Sequence, residues 1–175
     1  KTEAFESLVY QLMINYLIER MGYPKAIKEL KFDFSMAIRG LVIDRDHGNV
    51  LKISLHGGIR QSRHGTAPIS YREQKKFYRT TYIDLSDNNI TSVDTAFSIA
   101  VCVLYSQLVD LKDSGCLDGK KYHHLADDVF IAVDKVHSVG ELKEEVAKNP
   151  EKFLYRDPAI VEGIKRYIQH DKKIF

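Results

Sequence analysis

The stretch from Leu125 to His137 constrains the fold most, because it carries two stripes of residues at helical spacing. The first stripe is apolar and repeats at i, i+3, i+4 and i+7, which is the pattern of a helix that packs on a core. It comprises Leu125, Ala126, Val129, Ala132, Val133 and Val136. The second stripe lies roughly 100° further around the helix and comprises Asp127, Phe130, Asp134 and His137. We therefore predict a core-packed helix with one edge, bearing an acid and a histidine one turn apart, that lines a pocket.

Composition limits the classes of protein to which the chain can belong. Its 175 residues are 44% hydrophobic and 29% charged, as in ordinary globular domains. This length suffices for one domain, or for one domain and part of another. The net charge of +2 argues against nucleic acid or an acidic membrane as a partner. Two cysteines, Cys102 and Cys116, are too few for a disulfide scaffold, so we expect a reducing, cytoplasmic setting.

The first half of the sequence predicts one long helix followed by a β-hairpin. Residues 3–21 have a helical apolar stripe, and Gly22 ends it. Two β-rich runs at 40–44 and 50–55 flank the turn 45–49, with Leu51, Ile53 and Leu55 expected to face the core. Residues 56–68 contain three glycines and predict a loop, either an anion-binding lid or an exposed basic surface. A short helix over 71–78 follows, with Ser70 and Glu73 as a capping box.

The second half predicts a series of helices. Residues 82–85 fit either a strand or a loop, and Thr91 or Ser92 caps a helix that runs to about Lys112. The helix with the two stripes spans 121–138, and a capping box over 138–141 starts a short helix that ends near 149–150. A last helix covers 157–170, and residues 172–175 resemble the start of an apolar strand. We therefore expect an internal piece of a longer polypeptide.

Two candidate binding groups stay open at this level. Lys143 lies in the first turn of a predicted helix, where it either joins the helix amides in binding an anion or is simply solvated. His123, His124, Asp127 and Asp128 have a spacing that fits either a metal site or a solvated helix face.

A long sequence signature spans the predicted hairpin. It reads F-D-x-x-x-x-x-R-G-L-x-x-D, followed by G-N-x-L-K, and is met by residues 32–44 and 48–52. With this signature the chain resembles the cytosolic purine 5′-nucleotidases of the haloacid dehalogenase superfamily. Residues 63–78 and 134–143 resemble two further segments of the family. The resemblance implies an α+β fold, with a mainly helical cap that contains the hairpin and is flanked by helices of a haloacid dehalogenase-like α/β core. It implies core residues at 1–22 and 156–175, and a cap at 23–155.

The resemblance also implies specific roles in the binding of a purine nucleoside monophosphate. Asp134 matches the acid that contacts the purine edge, His137 the histidine that stacks on the base, and Lys143 a lysine near the substrate. The family's arginine one turn before the acid is Phe130 here. The aromatic residue on the other face of the base falls near Tyr82 or Ile83.

By the same resemblance, the catalytic aspartates and the ligands of a Mg²⁺ cofactor lie outside this segment. The implied activity is a Mg²⁺-dependent 5′-nucleotidase that acts on IMP- or GMP-like substrates, in a homo-oligomer that responds to a nucleotide effector. The alternative is a nucleotide-binding regulatory or protein-interaction module without catalysis, which the departures from the family at Phe130 and Ser138 would fit.

Overall fold

The computed structural model describes residues 1–36, 40–79, 81–93, 98–117, 119–154 and residue 159. The α-helices are α1 (Thr2–Met21), α2 (Tyr71–Phe77), α3 (Ser98–Asp113), α4 (Tyr122–Ser138), α5 (Glu141–Lys148) and α6 (Pro150–Phe153). Short 3₁₀ helices cover Lys25–Glu29 and Phe34–Met36. The strands are β1 (Leu41–Asp44), β2 (Asn49–Ile53), β3 (Ile59–His64), β4 (Ala67–Pro68) and β5 (Ile90–Val93). The mixture of helices with one antiparallel sheet confirms the predicted α+β class.

The strands form one five-stranded sheet in the order β4-β3-β2-β1-β5, with every neighbouring pair antiparallel. The register sets Asp44 opposite Asn49, and Asn49 opposite His64. Three polar residues on adjacent strands therefore follow one another across the sheet. Gly48 closes the β1–β2 turn with a φ of 72°, a left-handed conformation that favours glycine.

The main core lies between α1, α3 and α4, and α3 also contacts the sheet. On α4 the predicted apolar stripe is confirmed, because Leu125, Ala126, Val129, Ala132 and Val136 are all buried. A second, smaller core on the sheet is formed by Val42, Leu51 and Tyr78. The burial of one large aliphatic side chain contributes roughly 1.5–3 kcal/mol to the stability of the fold. The buried side chains of the two cores therefore hold the helices against the sheet.

A buried acid joins two helices of the main core. Glu6 on α1 is fully buried, and one of its carboxylate oxygens accepts a hydrogen bond from the Ala100 amide at 3.0 Å. Ala100 lies in the first turn of α3, where the free amides and the helix dipole favour a negative charge. Burial is the largest influence on Glu6 and raises its pKa, although the Ala100 hydrogen bond opposes this.

Three predictions made from the sequence are wrong in the region of the sheet. Residues 56–68 form β3 and β4 rather than a loop, because β3 is a polar strand that pairs along the length of β2. Residues 90–93 form β5, so α3 begins only at Ser98 and not at Thr91 or Ser92. Leu55 is 99% exposed, because β2 ends at Ile53 and the chain turns away before Leu55.

The connection from α4 to α5 also differs from the prediction. Ser138 is the last residue of α4, and its hydroxyl donates to the Lys135 carbonyl at 3.4 Å instead of capping α5. Gly140 precedes α5 with a φ of 94°, a conformation that suits glycine and leaves Ser138 inside the preceding helix. The predicted helix at 157–170 falls, apart from Ala159, outside the described residues. The division at 22/23 and 155/156 stays a prediction.

Candidate functional site

Two of the proposed recognition residues lie one turn apart on α4. Asp134 and His137 are both exposed, as expected for side chains that reach a ligand rather than the core. The His137 ring donates a hydrogen bond from Nδ1 to the Val133 carbonyl at 2.7 Å. This bond fixes the ring along the helix and identifies Nδ1 as its protonated nitrogen, since a carbonyl can only accept.

The third residue, Lys143, follows on α5 and is also exposed. Leu142 beside it is buried and holds the first turn of α5 against the core. Asp134 and His137 thus lie in the C-terminal part of α4, and Lys143 lies in the first turn of α5. The Asp134 carboxylate can accept a hydrogen bond, and the His137 imidazole can stack on a ring. The Lys143 ammonium group can attract an anion.

The N-terminal half of the second stripe has a structural role instead. Phe130 is half-buried and packs against the main core, so it does not replace an arginine as a polar contact to a ligand. Asp127 forms an ion pair with Arg45 at the β1–β2 turn. The stripe is thus divided between residues that join α4 to the rest of the fold and residues left at the surface.

Tyr82 and Ile83 lie at a different place in the fold. They line a cavity of about 230 Å³ together with Asp44, Asp46, His47, Phe77, Tyr78, Asp84, Asp87, Asn89 and Ile90. Asp134, His137, Lys143 and Phe130 do not line this cavity. The structure therefore does not bring Tyr82 and Ile83 together with the residues on α4 and α5 in a shared cavity.

A polar network starts at Asp44, a buried residue in the wall of this cavity. Asp44 is only 2% exposed, and its Oδ1 accepts hydrogen bonds from the amides of Asp46 at 3.0 Å and His47 at 3.1 Å. Its Oδ2 accepts from the Tyr78 hydroxyl at 2.5 Å and contacts His47 Nδ1 at 2.8 Å. Burial raises the pKa of Tyr78, and the hydrogen bond to Asp44 raises it further, so Tyr78 stays a neutral donor.

The network continues across the sheet to α3. Asn49 donates from Nδ2 to the Tyr78 hydroxyl at 2.9 Å, and its Oδ1 lies 2.8 Å from His64 Nδ1. His64 Nε2 lies 2.7 Å from Oδ2 of Asp113 on α3. We call Asp44, Tyr78, Asn49, His64 and Asp113 the polar network. Sequence reasoning missed it, although the cross-strand alignment of residues 44, 49 and 64 would have indicated it once residues 59–64 were recognised as a strand.

The residues considered for a metal site are engaged in other interactions. Asp128 accepts a hydrogen bond from the Tyr23 hydroxyl at 2.7 Å and pairs with Lys120, while Asp127 pairs with Arg45. Within the described ranges, no group of three or more His, Cys, Asp or Glu side chains could hold a metal ion. Among the helices of those same ranges, none is long and apolar enough to cross a membrane.

Comparison with known proteins supplies the family. The sequence model of the 5′ nucleotidase family matches residues 1–175. The chain belongs to the 5′ nucleotidase family. This 5′ nucleotidase family member is 27% identical over 175 residues to a 5′-nucleotidase domain-containing protein of Dictyostelium discoideum, with 97% of this chain and 29% of that protein aligned.

Two mammalian 5′-nucleotidase domain-containing proteins are also similar to the chain. The chain is 22% identical over 184 aligned positions to the 5′-nucleotidase domain-containing protein 1 of Homo sapiens, which covers 95% of this chain and 40% of that protein. The protein of the same name from Bos taurus matches at 22% identity. This family member therefore spans less than half the length of these relatives.

Proposed function

We propose that the chain is part of a Mg²⁺-dependent 5′-nucleotidase that hydrolyses purine nucleoside 5′-monophosphates, of the IMP or GMP type, to nucleoside and phosphate. In this proposal the segment acts as a cap on a haloacid dehalogenase-like core and supplies substrate recognition. Family membership over the whole chain supports the activity. The observation that carries the recognition role is the pair of exposed side chains, Asp134 and His137, one turn apart on α4.

The chemistry of Asp134, His137 and Lys143 suits a 6-oxopurine monophosphate. The Asp134 carboxylate accepts a hydrogen bond from N1–H of the base, a donor that adenine lacks. The His137 ring, fixed by its bond to the Val133 carbonyl, offers a flat face on which the base stacks. Lys143 provides a positive point charge for the phosphate.

Hydrolysis itself is assigned to residues beyond this segment. A carboxylate nucleophile attacks phosphorus while a second, protonated aspartate gives its proton to the leaving 5′-oxygen of the nucleoside. This second aspartate then takes a proton from the water that hydrolyses the phosphoaspartate and releases phosphate. The described residues do not fit a Mg²⁺ site, because they offer no cluster of three suitable ligands. A nucleotide effector, a homo-oligomeric assembly and a cytoplasmic location belong to the same proposal and rest on the resemblance.

A nucleotide-binding regulatory or protein-interaction module without catalysis is the second candidate. Phe130 favours it, because the residue that replaces the family's base-contacting arginine packs against the core. Ser138 favours it as well, because its hydroxyl bonds to its own helix at Lys135. Both positions thus differ from the family pattern, and their side chains have contacts within the fold.

The deciding experiment replaces Asp134 by Ala in the intact enzyme and measures kcat/KM for IMP, GMP and AMP. A hydrogen bond to a charged group contributes about 1.5–3 kcal/mol, so kcat/KM for IMP and GMP should fall by roughly 10- to 150-fold. The value for AMP should change little. Glu144→Ala, which removes another exposed acid from the first turns of α5, is the matched control. Equal kcat/KM for wild type and Asp134→Ala on IMP would exclude base recognition by this residue.

A further inference from the structure

The direction of each hydrogen bond in the polar network follows from the charge of Asp44. This buried carboxylate accepts two backbone amides on Oδ1, and on Oδ2 it faces the Tyr78 hydroxyl and His47 Nδ1. The two amides and the Tyr78 hydroxyl are donors, and hydrogen bonds of this kind favour a charged carboxylate. The single hydroxyl proton of Tyr78 is therefore donated to Asp44.

The orientation of the Asn49 amide is then fixed. Asn49 lies 2.9 Å from the Tyr78 oxygen, which has no proton left to donate in that direction. The Asn49 group that faces Tyr78 must therefore be the NH₂ donor, and the group that faces His64 must be the carbonyl oxygen. A carbonyl only accepts, so His64 Nδ1, at 2.8 Å, has to carry a proton.

The second nitrogen of His64 is constrained from the other side. Asp113 accepts from the Tyr122 hydroxyl on Oδ1 at 2.9 Å and faces His64 Nε2 with Oδ2 at 2.7 Å. Burial acts to raise the Asp113 pKa, but the hydrogen bonds from His64 and Tyr122 outweigh it and leave the pKa below its usual value. Asp113 is thus a carboxylate, and Nε2 also has to carry a proton.

We propose that His64 is an imidazolium at neutral pH and acts as a proton-dependent clasp that ties β3 to β2 and to α3. The negative charge of Asp44 is what requires this positive charge, through the fixed directions of the Tyr78 and Asn49 bonds. A neutral His64 would give up one of its two bonds, or Asn49 would rotate and place two oxygens, its own and that of Tyr78, against each other without a proton. The first change loosens β3 from β2 or from α3, and the second breaks the bond between Asn49 and Tyr78.

The surroundings of His64 suit a cation that solvent can reach. Its side chain is 34% exposed, so the proton can exchange with water. From α3 it faces Asp113, whose other oxygen lies 3.6 Å from Lys112 Nζ. Tyr122 from α4 lies edge-on to the ring at 5.6 Å between centroids. On the sheet side it faces the neutral Asn49.

The adjoining β3–β4 turn contributes a further acid to this region. Asp110 on α3 accepts hydrogen bonds from Thr66, two residues along the chain from His64. Asp113 is paired with Lys112 as well as with His64. Both ring bonds of His64 need a proton on the ring nitrogen, so removal of one proton at high pH should break one bond and lower the free energy of unfolding.

The test is the protonation state of the His64 ring, read from the nitrogen chemical shifts of the ¹⁵N-labelled full chain at neutral pH. We expect both ring nitrogens of His64 to be protonated in the wild type. In Tyr78→Phe the Asn49 amide is free to rotate, and we expect Nδ1 of His64 to lose its proton. A wild-type spectrum with an unprotonated Nδ1 would overturn the proposal, and so would a folded Tyr78→Phe variant in which His64 keeps both protons.

A second measurement tests the role of His64 even if Tyr78→Phe does not fold. The free energy of unfolding is measured against pH for wild type, His64→Gln and the control His56→Gln, which changes an exposed histidine in the β2–β3 turn. The decrease at rising pH should be the same in wild type and His56→Gln and smaller in His64→Gln, in which the contact of His47 with Asp44 remains. The same decrease in all three proteins would refute the clasp.

Discussion

Replacing Gly65 by alanine should destabilise the fold by about 2–4 kcal/mol, because the β3–β4 turn approaches α3 closely at this point. Gly65 has a φ of +56°, and the left-handed conformation costs an alanine roughly 1–2 kcal/mol. An added Cβ would also lie 2.7 Å from Asp110 Cγ and 3.3 Å from the Ser106 carbonyl oxygen. Asp110 would have to move away from Thr66, whose amide and hydroxyl donate to it at 3.2 and 2.6 Å. The loss of these bonds adds about 1–2 kcal/mol.

Gly115→Ala is the matched control for this change. Gly115 has a φ of +81°, but no heavy atom lies within 4 Å of the position of an added Cβ. Its replacement therefore carries only the conformational cost of roughly 1–2 kcal/mol. Urea unfolding followed by circular dichroism measures both variants, and an unchanged m-value shows that the denatured state is not altered.

The contribution of Asp110 is separated by a double-mutant cycle. In an Asp110→Ala background the side chain that blocks the Cβ is gone, so Gly65→Ala should cost about 1–2 kcal/mol less than in the wild type. Two results would refute this reasoning. One is a Gly65→Ala variant that loses no more stability than Gly115→Ala, and the other is a cycle with no coupling between Gly65 and Asp110.

Three further predictions concern the helical core. Leu125→Ala should lower the free energy of unfolding by roughly 2–5 kcal/mol, whereas Ile131→Ala, at a position 43% exposed, should change it much less, as urea titration would show. Burial raises the pKa of Cys102 to about 12, so a thiol reagent should modify exposed Cys116 at once and Cys102 only after unfolding; two fast thiols in the native protein would contradict this. The pKa of Glu6 is higher in the folded state than in the unfolded chain. The contribution of Glu6 to stability is therefore fully present below its unfolded-state pKa, and it is lost as the pH rises through its folded-state pKa. Glu6→Gln should flatten this slope in unfolding measured against pH, and an unchanged slope would contradict the assignment.

Regular apolar spacing made the helices predictable from the sequence. On α4, Leu125, Val129 and Val136 recur at the helical period and are buried as expected. The Ser70–Glu73 capping box at the start of α2 is also confirmed, because both of its hydrogen bonds form within three residues of each other. Such local interactions are contained in a short stretch of sequence, and no knowledge of the tertiary fold is needed to find them.

The strand β3 could not be predicted in this way, since its stability comes from distant partners. Ser62 donates to Gln74 on α2 at 3.0 Å, and His64 bonds to Asn49 and Asp113. These partners let polar residues occupy a strand, and they mask the alternation by which strands are recognised. The polar network stayed hidden for the same reason, because its members are 5 to 69 residues apart in the sequence.

The candidate site was predicted only in part. The spacing of Asp134 and His137 indicated one exposed face of α4, and the structure places both side chains at the surface. Spacing could not show that Phe130, on the same stripe, packs into the core. Nor could it show that Tyr82 lines a separate cavity, since that depends on the pairing of Tyr82 with Gly58 beside the β2–β3 turn.

The short strand β4 limits how copies of the sheet can associate. It has only two residues, Ala67 and Pro68, and proline has no amide proton to donate to a neighbouring strand. An incoming strand would find almost no hydrogen-bonding partners there, so this edge is protected against the edge-to-edge addition that leads to aggregation. Assembly of copies through the two residues of β4 is therefore disfavoured.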